Sequence, residues 1–377
     1  MKRMTYAGAG VDVDVEEKAA ELLYKAARKT WRNREGILGE VVLPFDDFSG
    51  IRAIDAGKLP AGTLMNLGFD GVGTKAEFAD KAKRYDTLAF DLLAMVCDDA
   101  VIRGGEPVIA GSIIDVNTLG EDDSRLIYVK QLTEGYVKAA KAANVAIVNG
   151  EIAQLGNRVG ASKDFSLNWG AALVWFAHKS KLITGHKVKP GDAIVGLQET
   201  SLRSNGISLI RKILNSKVGP DWHKKRLRGK KLIDLALAPS TIYSAAVVDM
   251  SGGWQKTNPA KAGLHALANV TGGGLPSKLE RALRPSGLGA AIYDPYTPVE
   301  LMLHCQQLGG VSDREAYRTW HMGQGMVIVT PEPDKAIEIA KSHKLKAKVI
   351  GEVVPQKGLT ITSTGYYNKG EKLEFNV

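Results

Sequence analysis

The sequence predicts a two-domain protein of the α/β or α+β class built on a mixed sheet. Strand-like apolar runs alternate with segments of helical periodicity along the whole chain, the pattern of sheets layered with helices. The 377 residues are enough for two domains with separate cores. Near Lys179–Pro190 the chain turns basic and polar, with Gly185, Pro190 and Gly191, which sets domains at 1–178 and 179–377.

In chain order, residues 5–14 form a glycine-rich opening segment. A helix follows from Glu16 to about Trp31, with Leu22, Leu23, Ala26 and Ala27 facing inward. Residues 33–61, with Pro44 and Pro60, read as loop with short strands. The run Thr63–Leu67 reads as a short buried strand, so Asp70 falls where a strand meets a loop. Leu88, Leu92, Met95 and Val96 recur at helical spacing and predict a helix over Asp86–Arg103. Then come a strand at Val108–Val116, a helix at 122–142, and strands at Val145–Val148 and about Trp169–Phe176. The second half begins with strand Ala193–Val195 and helix Ile207–Leu214. Helix Leu275–Leu283, strand Met326–Thr330, helix Asp334–His343 and strand Lys346–Val354 follow. No internal repeat or low-complexity segment interrupts this order.

Composition narrows the class. At 44% hydrophobic and 24% charged, with no apolar run of membrane-spanning length, the chain reads as globular with no membrane partner. Its start, Met-Lys-Arg-Met-Thr-Tyr, lacks the apolar core of a signal peptide. Cys97 and Cys305 make neither a disulfide framework nor a zinc pattern, so a cytoplasmic location is expected. The net charge of +9 comes partly from two runs, His223–Lys231 and Lys341–Lys348. Neither is interleaved with aromatic residues for base stacking, so both read as solvated surface and no nucleic-acid partner is expected. The surplus positive charge suits a small phosphorylated substrate.

The chemistry concentrates in Gly68-Phe-Asp-Gly-Val-Gly-Thr-Lys75. Gly71 and Gly73 let the backbone turn and approach an anion, Lys75 supplies a point charge, and Asp70 is a hard oxygen ligand beside it. That pairing implies Mg²⁺ between carboxylate and phosphate. Thr74 precedes Lys75, the reverse of the Walker order, which excludes an ordinary P-loop. Asp91 and Asp98 stand seven residues apart on nearly one helical face, with Asp99 about 100° round. Carboxylates in so apolar a helix read as a metal–phosphate site. Thr271-Gly-Gly-Gly274 opening a helix is a natural phosphate cradle, and Ser204-Asn205-Gly206 is a weaker version of it. Glu151, after a strand and beside Gly150, is placed to act as metal ligand or base. The seven histidines show no ligand spacing, although His321 stands just before Gly323-Gln-Gly325. Two phosphate-friendly glycine clusters in different domains indicate two phosphorylated ligands, one of them a nucleotide with Mg²⁺.

These motifs, in this order, resemble the phosphoribosylformylglycinamidine cyclo-ligase (aminoimidazole ribonucleotide synthetase) family over nearly the whole chain. Tyr6–Asp14 looks like the family's N-terminal signature, and Asp70-Gly-Val-Gly-Thr-Lys75 is the most specific match. Asp91–Met95, Gly105–Pro107, Ser204–Gly206, Leu237–Pro239, Thr271–Gly274 and Gly323–Met326 also agree. The resemblance implies an N-terminal mixed-sheet domain, a C-terminal α+β domain and a homodimer paired through N-terminal sheets. It implies ATP-dependent closure of formylglycinamidine ribonucleotide to aminoimidazole ribonucleotide, with Mg²⁺, and with K⁺ as a further ion to supply in an assay. Asp70, Asp99 and Glu151 would then hold metal. Gly71, Gly73, Thr74, Lys75 and Asp12 would hold the nucleotide, with Lys75 and Asp70 catalytic. Ser204, Asn205, Gly206, Thr271, Gly272, Gly273 and Gly274 would hold the substrate or its phosphate.

The chain departs from the family pattern at several of these points. Asn149-Gly150-Glu151-Ile152 stands where Gly-Gly-Glu-Thr is usual, Asp98 and His321 each replace a usual Asn, and Phe45–Gly50 keeps a single glycine. Arg203 replaces a usual His. It stays protonated and so cannot carry a proton, but it could serve the catalytic site by binding a phosphate. A relative acting on another acceptor and a non-catalytic nucleotide-binding paralogue therefore stand as alternatives. Asp70 and Lys75 both read as loop residues that can be replaced without unfolding the protein.

Overall fold

A computed structural model describes residues 12–42, 53–57, 59–160 and 164–375. The opening signature before Asp12 and the segment Phe45–Gly50 lie outside the described residues. The chain divides into two compact units. The first comprises Met1–Cys97 and Pro107–Phe176, and the second comprises Asp98–Glu106 and Ala177–Val377.

The first unit opens with α1 (Val13–Trp31). Asp12 caps it by accepting bonds from the Asp14 and Val15 N–H groups at 3.1 and 3.2 Å. Asp14 and Glu16 in its first turn and Arg28 and Lys29 in its last complement the helix dipole. Two short strands, β1 (Val41–Val42) and β2 (Ala53–Ile54), pair antiparallel. After β3 (Thr63–Gly71) come α2 (Ala76–Ala82) and α3 (Leu88–Val101). The unit's other elements are β4 (Glu106–Val116), α4 (Leu126–Ala143), β5 (Ala146–Gln154) and β6 (Leu167–His178). The four long strands form a sheet in the order β3-β6-β4-β5, in which β4 and β5 run parallel and α4 makes the crossover. One face of the sheet is packed by α1, whose Val15, Ala19 and Ala26 are buried, and by α4, which buries Val129, Leu132 and Tyr136.

Two expectations need correction here. β3 was expected to be buried, but Leu64, Met65, Leu67 and Phe69 are 42–72% exposed. It is an edge strand, so one side lacks a neighbour, and an apolar run alone does not say what covers it. Asp70 also lies within the strand rather than in the loop beyond it. Helix α3, by contrast, is buried nearly all round, with Asp99 its one exposed residue.

The second unit contains β7 (Ala193–Gln198), α5 (Ile207–Ile213), β8 (Arg226–Leu227), β9 (Lys230–Lys231), α6 (Leu232–Ala236) and α7 (Ser244–Ser251). Next come β10 (Ala266–Asn269), α8 (Gly274–Leu283), β11 (Gly289–Ile292), α9 (Glu300–Gly309) and α10 (Asp313–Thr319). The unit closes with β12 (Gln324–Thr330), α11 (Pro333–Ser342), β13 (Ala347–Val354), β14 (Leu359–Thr362) and β15 (Lys372–Phe375). Its seven-stranded sheet has the order β10-β12-β7-β13-β11-β14-β15. β7 lies between β12 and β13 and runs antiparallel to both, and α11 joins those two strands over it. β11 pairs parallel with β14 and antiparallel with β13, so the sheet is mixed. Val195, Leu197, Met326, Ile328, Val247 and Met250 pack the core between sheet and helices. No helix among the described residues is long and apolar enough to cross a membrane.

Candidate functional site

In the first unit, β3 runs through Asp70 and Gly71 into a turn at Gly73. The Val72 N–H donates to the Trp169 carbonyl at 3.0 Å, tying the turn to β6. Gly73 has φ +65, a conformation that side-chain-bearing residues rarely adopt, and it starts the one-turn 3₁₀ helix Gly73–Lys75 that leads into α2. Asp70 is exposed, with Oδ1 accepting from the Gly71 N–H at 2.7 Å. Asp70 and Gly71 line an open cavity of about 700 Å³ together with Asn149, Gly150, Glu151 and Asn168. Glu151 is exposed on β5, opposite Ile113 of β4. Two of the expected carboxylates therefore share one cavity.

Lys75 lies elsewhere. It is fully buried, and its ammonium donates to Asp91 Oδ1 at 2.7 Å, both side chains being 0% exposed. The pairing has a simple cause. Asp91 projects from a helix with an apolar environment on nearly every side, where an isolated charge is costly, and Lys75 supplies the counter-charge. Thr74 is half-buried beside it. Asp12 spends its carboxylate on the first turn of α1.

In the second unit the expected phosphate-binding Arg203 is committed to structural work. Only 1% exposed, it donates from Nη1 to Glu199 Oε2 at 3.2 Å and to the Thr241 carbonyl at 3.1 Å. Its Nη2 donates to Asp98 Oδ2 and Asn269 Oδ1, each at 3.1 Å. Its Cζ stands 5.4 Å from the centre of the Tyr243 ring. Two of the three carboxylates of α3 are thus salt-bridged, Asp91 by Lys75 and Asp98 by Arg203.

The electrostatics follow from the donors each acid receives. Burial opposes ionisation of Glu199, but Arg203 and the Ser201 N–H and hydroxyl hold it below the usual range. Asp98 receives only Arg203 and the Tyr243 N–H, at 2.9 Å, and burial pushes it up to about 7 against them. His321 Nδ1 accepts from the Gly323 N–H at 3.0 Å, so Nε2 carries the proton and donates to the Ser201 carbonyl at 2.9 Å. Asn269, oriented by Arg203, donates from Nδ2 to Asp99 Oδ1 at 2.8 Å. Asp99 belongs to this second unit, whereas Asp70 and Glu151 belong to the first. Among the described residues no three His, Cys, Asp or Glu side chains come together as a metal site.

The two glycine clusters of the second unit do converge. A Cβ on Gly272 would lie 3.6 Å from Asn205 Nδ2. One on Gly206 would meet Trp320 at 2.4 Å, and one on Gly274 would meet the Tyr317 carbonyl at 1.9 Å. Both glycines have positive φ, +75 and +63, so each is required by backbone conformation and by close packing on α10. Gly273, at φ +90, caps α8, and Thr271 beside it is buried. Ser204 Oγ and Asn205 Oδ1 are buried polar atoms with no hydrogen-bond partner, which is how residues awaiting a polar ligand present themselves.

Sequence reasoning missed Glu199, Thr241, Tyr243 and Asn269 as partners of Arg203. Glu199, Thr241 and Tyr243 lie in loops and Asn269 ends β10, and no spacing in the sequence shows that they meet at one guanidinium.

With this geometry in hand, comparison with known proteins places the chain. Residues 53–171 match the family model for the N-terminal domain of AIR synthase related protein, and residues 189–363 match the model for its C-terminal domain. The chain belongs to the AIR synthase family. Within it, the chain is similar to the phosphoribosylformylglycinamidine cyclo-ligase of Thermococcus kodakarensis, at 32% identity over 96% of this chain and 99% of that one. The enzyme of the same name from Methanosarcina mazei is 33% identical with the same coverage. Among solved structures, thiamine-monophosphate kinase from Stenotrophomonas maltophilia aligns with TM-score 0.63 at 13% identity, covering 93% of this chain and 97% of that one. E. coli HypE aligns with TM-score 0.61 at 16% identity, covering 96% of each. These two likenesses show the fold.

Proposed function

We propose that the chain is an ATP-dependent cyclo-ligase that converts formylglycinamidine ribonucleotide to aminoimidazole ribonucleotide in purine biosynthesis. The observation that carries this reading is the similarity to cyclo-ligases over 96% of the chain. In the reaction the formyl oxygen attacks the γ-phosphorus of ATP and ADP leaves. The amidine nitrogen then attacks the formyl carbon, a proton is lost, and phosphate departs with the former formyl oxygen. Phosphorylation turns a poor leaving group into a good one, so the protein's work is positioning and charge stabilisation.

Hard oxygen donors suit Mg²⁺, which needs only one or two carboxylates when phosphates and water complete its octahedron. Strands β6 and β4 lie between Asp70 on β3 and Glu151 on β5, so within that cavity Asp70, next to the Gly71–Thr74 turn, is the single carboxylate that would hold the ion. When bound there, Mg²⁺ would offset charge on the nucleotide phosphates. The turn Gly71–Thr74 would follow the phosphates with its backbone. In the second unit, Ser204–Gly206 and Thr271–Gly274 hold the ribonucleotide's phosphate, consistent with the unpartnered Ser204 Oγ and Asn205 Oδ1. Lys75 keeps the turn anchored through Asp91.

The purified protein incubated with formylglycinamidine ribonucleotide, ATP, Mg²⁺ and K⁺ is expected to release ADP and aminoimidazole ribonucleotide in equal amounts. Asp70→Asn is expected to lower that turnover by two or more orders of magnitude with thermal stability unchanged, because Asp70 is exposed and asparagine has nearly the same shape. ADP without the imidazole would instead assign a different acceptor. Full activity in Asp70→Asn would move the metal away from this cavity.

The exposed apolar residues of β3 support a homodimer. Met65 and Phe69, 66% and 72% exposed on an edge strand, with Ile113 at 57% on β4 of the same sheet, make a surface that monomers rarely leave to water. A second copy of the chain pairing there is expected to give twice the monomer mass in light scattering, and Phe69→Glu to give monomers. A wild-type monomer at micromolar concentration would reject the pairing.

A further inference from the structure

The basic run His223–Lys231, which reads as solvated surface in the sequence, folds into a defined hairpin. Arg226 of β8 stands opposite Lys231 of β9, and Leu227 opposite Lys230. The two-residue turn is Arg228-Gly229, with φ of 45° and 82°, the doubly left-handed conformation that matches strand twist. An arginine is conformationally disfavoured there. Its Nε forms an ion pair with Glu300 Oε1 at 2.7 Å, which ties the hairpin tip to the start of α9.

Between the hairpin and α9 lies a cavity of about 720 Å³. Its floor is Gln198–Thr200 at the end of β7, Thr297–Leu301 form one wall, and Arg226, Lys230 and Lys231 form the other. Two of the three acids that line it are already compensated, Glu199 by Arg203 and Glu300 by Arg228. Asp234 is the third. The hairpin adds three cations against these acids, two of which are already ion-paired, so the lining is positive on balance. Thr200 and Thr297 add hydroxyl donors. No aromatic side chain lines the cavity, so stacking of nucleic-acid bases has no platform there. Concavity, excess positive charge and hydroxyls suit a compact anion carrying several charges.

We infer that this cavity is a second anion site, separate from the Ser204–Gly206 and Thr271–Gly274 clusters, that takes a small multiply charged phosphate such as pyrophosphate or the diphosphate of a nucleotide. The inference goes beyond the cyclo-ligase reading and stands whether or not that reading does.

Calorimetric titration of the full chain with pyrophosphate, and separately with ADP, at 0.1 M KCl without Mg²⁺ tests it. Lys230→Ala/Lys231→Ala should weaken pyrophosphate binding at least tenfold with thermal stability unchanged, both lysines being exposed. Lys187→Ala/Lys189→Ala, which removes two exposed lysines outside the cavity, should bind as wild type does. ADP weakened as strongly as pyrophosphate would identify a nucleotide diphosphate as the ligand class, and pyrophosphate weakened alone would identify an inorganic phosphate. Equal weakening in both double variants would overturn the inference by showing only general charge attraction. So would loss of pyrophosphate binding in Asn205→Ala with retention in Lys230→Ala/Lys231→Ala, or tighter hairpin-dependent binding of a 20-mer polyuridylate than of pyrophosphate.

Discussion

Arg203→Met is expected to destabilise the second unit by about 3–5 kcal/mol, the cost of leaving buried charges without their partner. Asp98 and Glu199 are both 0% exposed at the side chain, and one guanidinium serves them both. Methionine fills much of the volume but supplies none of the four bonds, and Asn269 loses the group that orients it toward Asp99. The loss should depend on pH with a definite sign. Burial already sets Asp98 at about 7, above the ordinary 3.8 of an unfolded aspartate, and removing Arg203 raises it further. A carboxyl whose folded value is raised favours the fold while protonated, and that contribution fades as pH climbs from the unfolded value through the folded one. Urea denaturation should therefore show a smaller deficit for Arg203→Met at pH 5.5 than at pH 8. Arg203→His/Asp98→Asn, the pair usual in the family, should be more stable than Arg203→His alone, since it strands one carboxylate fewer. If the double variant were no better than the single, the two departures would be unconnected despite their contact.

Lys75→Ala is expected to cost the first unit a similar amount, about 3–5 kcal/mol, because Asp91 would stay buried without the Lys75 ammonium. The decisive comparison is Lys75→Met/Asp91→Leu. Exchanging a whole buried ion pair for apolar side chains of similar size is often neutral for stability, so this variant should recover most of the midpoint lost by the single change. If it recovers stability and turnover, Lys75 acts only as an anchor for the Gly71–Thr74 turn. If it recovers stability and stays inactive, the ammonium acts on the nucleotide as well. Lys75 and Asp70 were both expected to lie in a loop at the site, where replacement removes turnover and leaves the fold intact. They separate because one side chain points into α3 and the other stays at the surface.

Much of the architecture could be read from periodicity. Helices α1, α3, α4 and α11 carry clear 3.6-residue patterns, and the structure places them within a few residues of the predicted spans. The glycine clusters were legible because positive φ and close packing leave so few residue types, as Gly206 and Gly274 show. The exposure of β3 was not, since an apolar strand reads alike whether its own chain or another covers it. Nor were the roles of Asp91, Asp98 and Arg203. Each acid was recognised as out of place in an apolar helix, but only the fold reveals that a cation from a distant segment meets it.

The position of β7 has a consequence for biosynthesis. It is the first strand of the seven-stranded sheet to emerge from the ribosome, yet both its neighbours, beginning at Gln324 and Ala347, come near the end of the chain. The segment Asp98–Glu106 also belongs with residues made much later. Nascent chains must therefore carry an apolar strand without its mates from Gln198 until at least Gln324 has been made, a high-contact-order arrangement that folds slowly and exposes the chain to aggregation. A ribosome stall or truncation before β13 should leave a species that depends on chaperones, however well its first unit has folded.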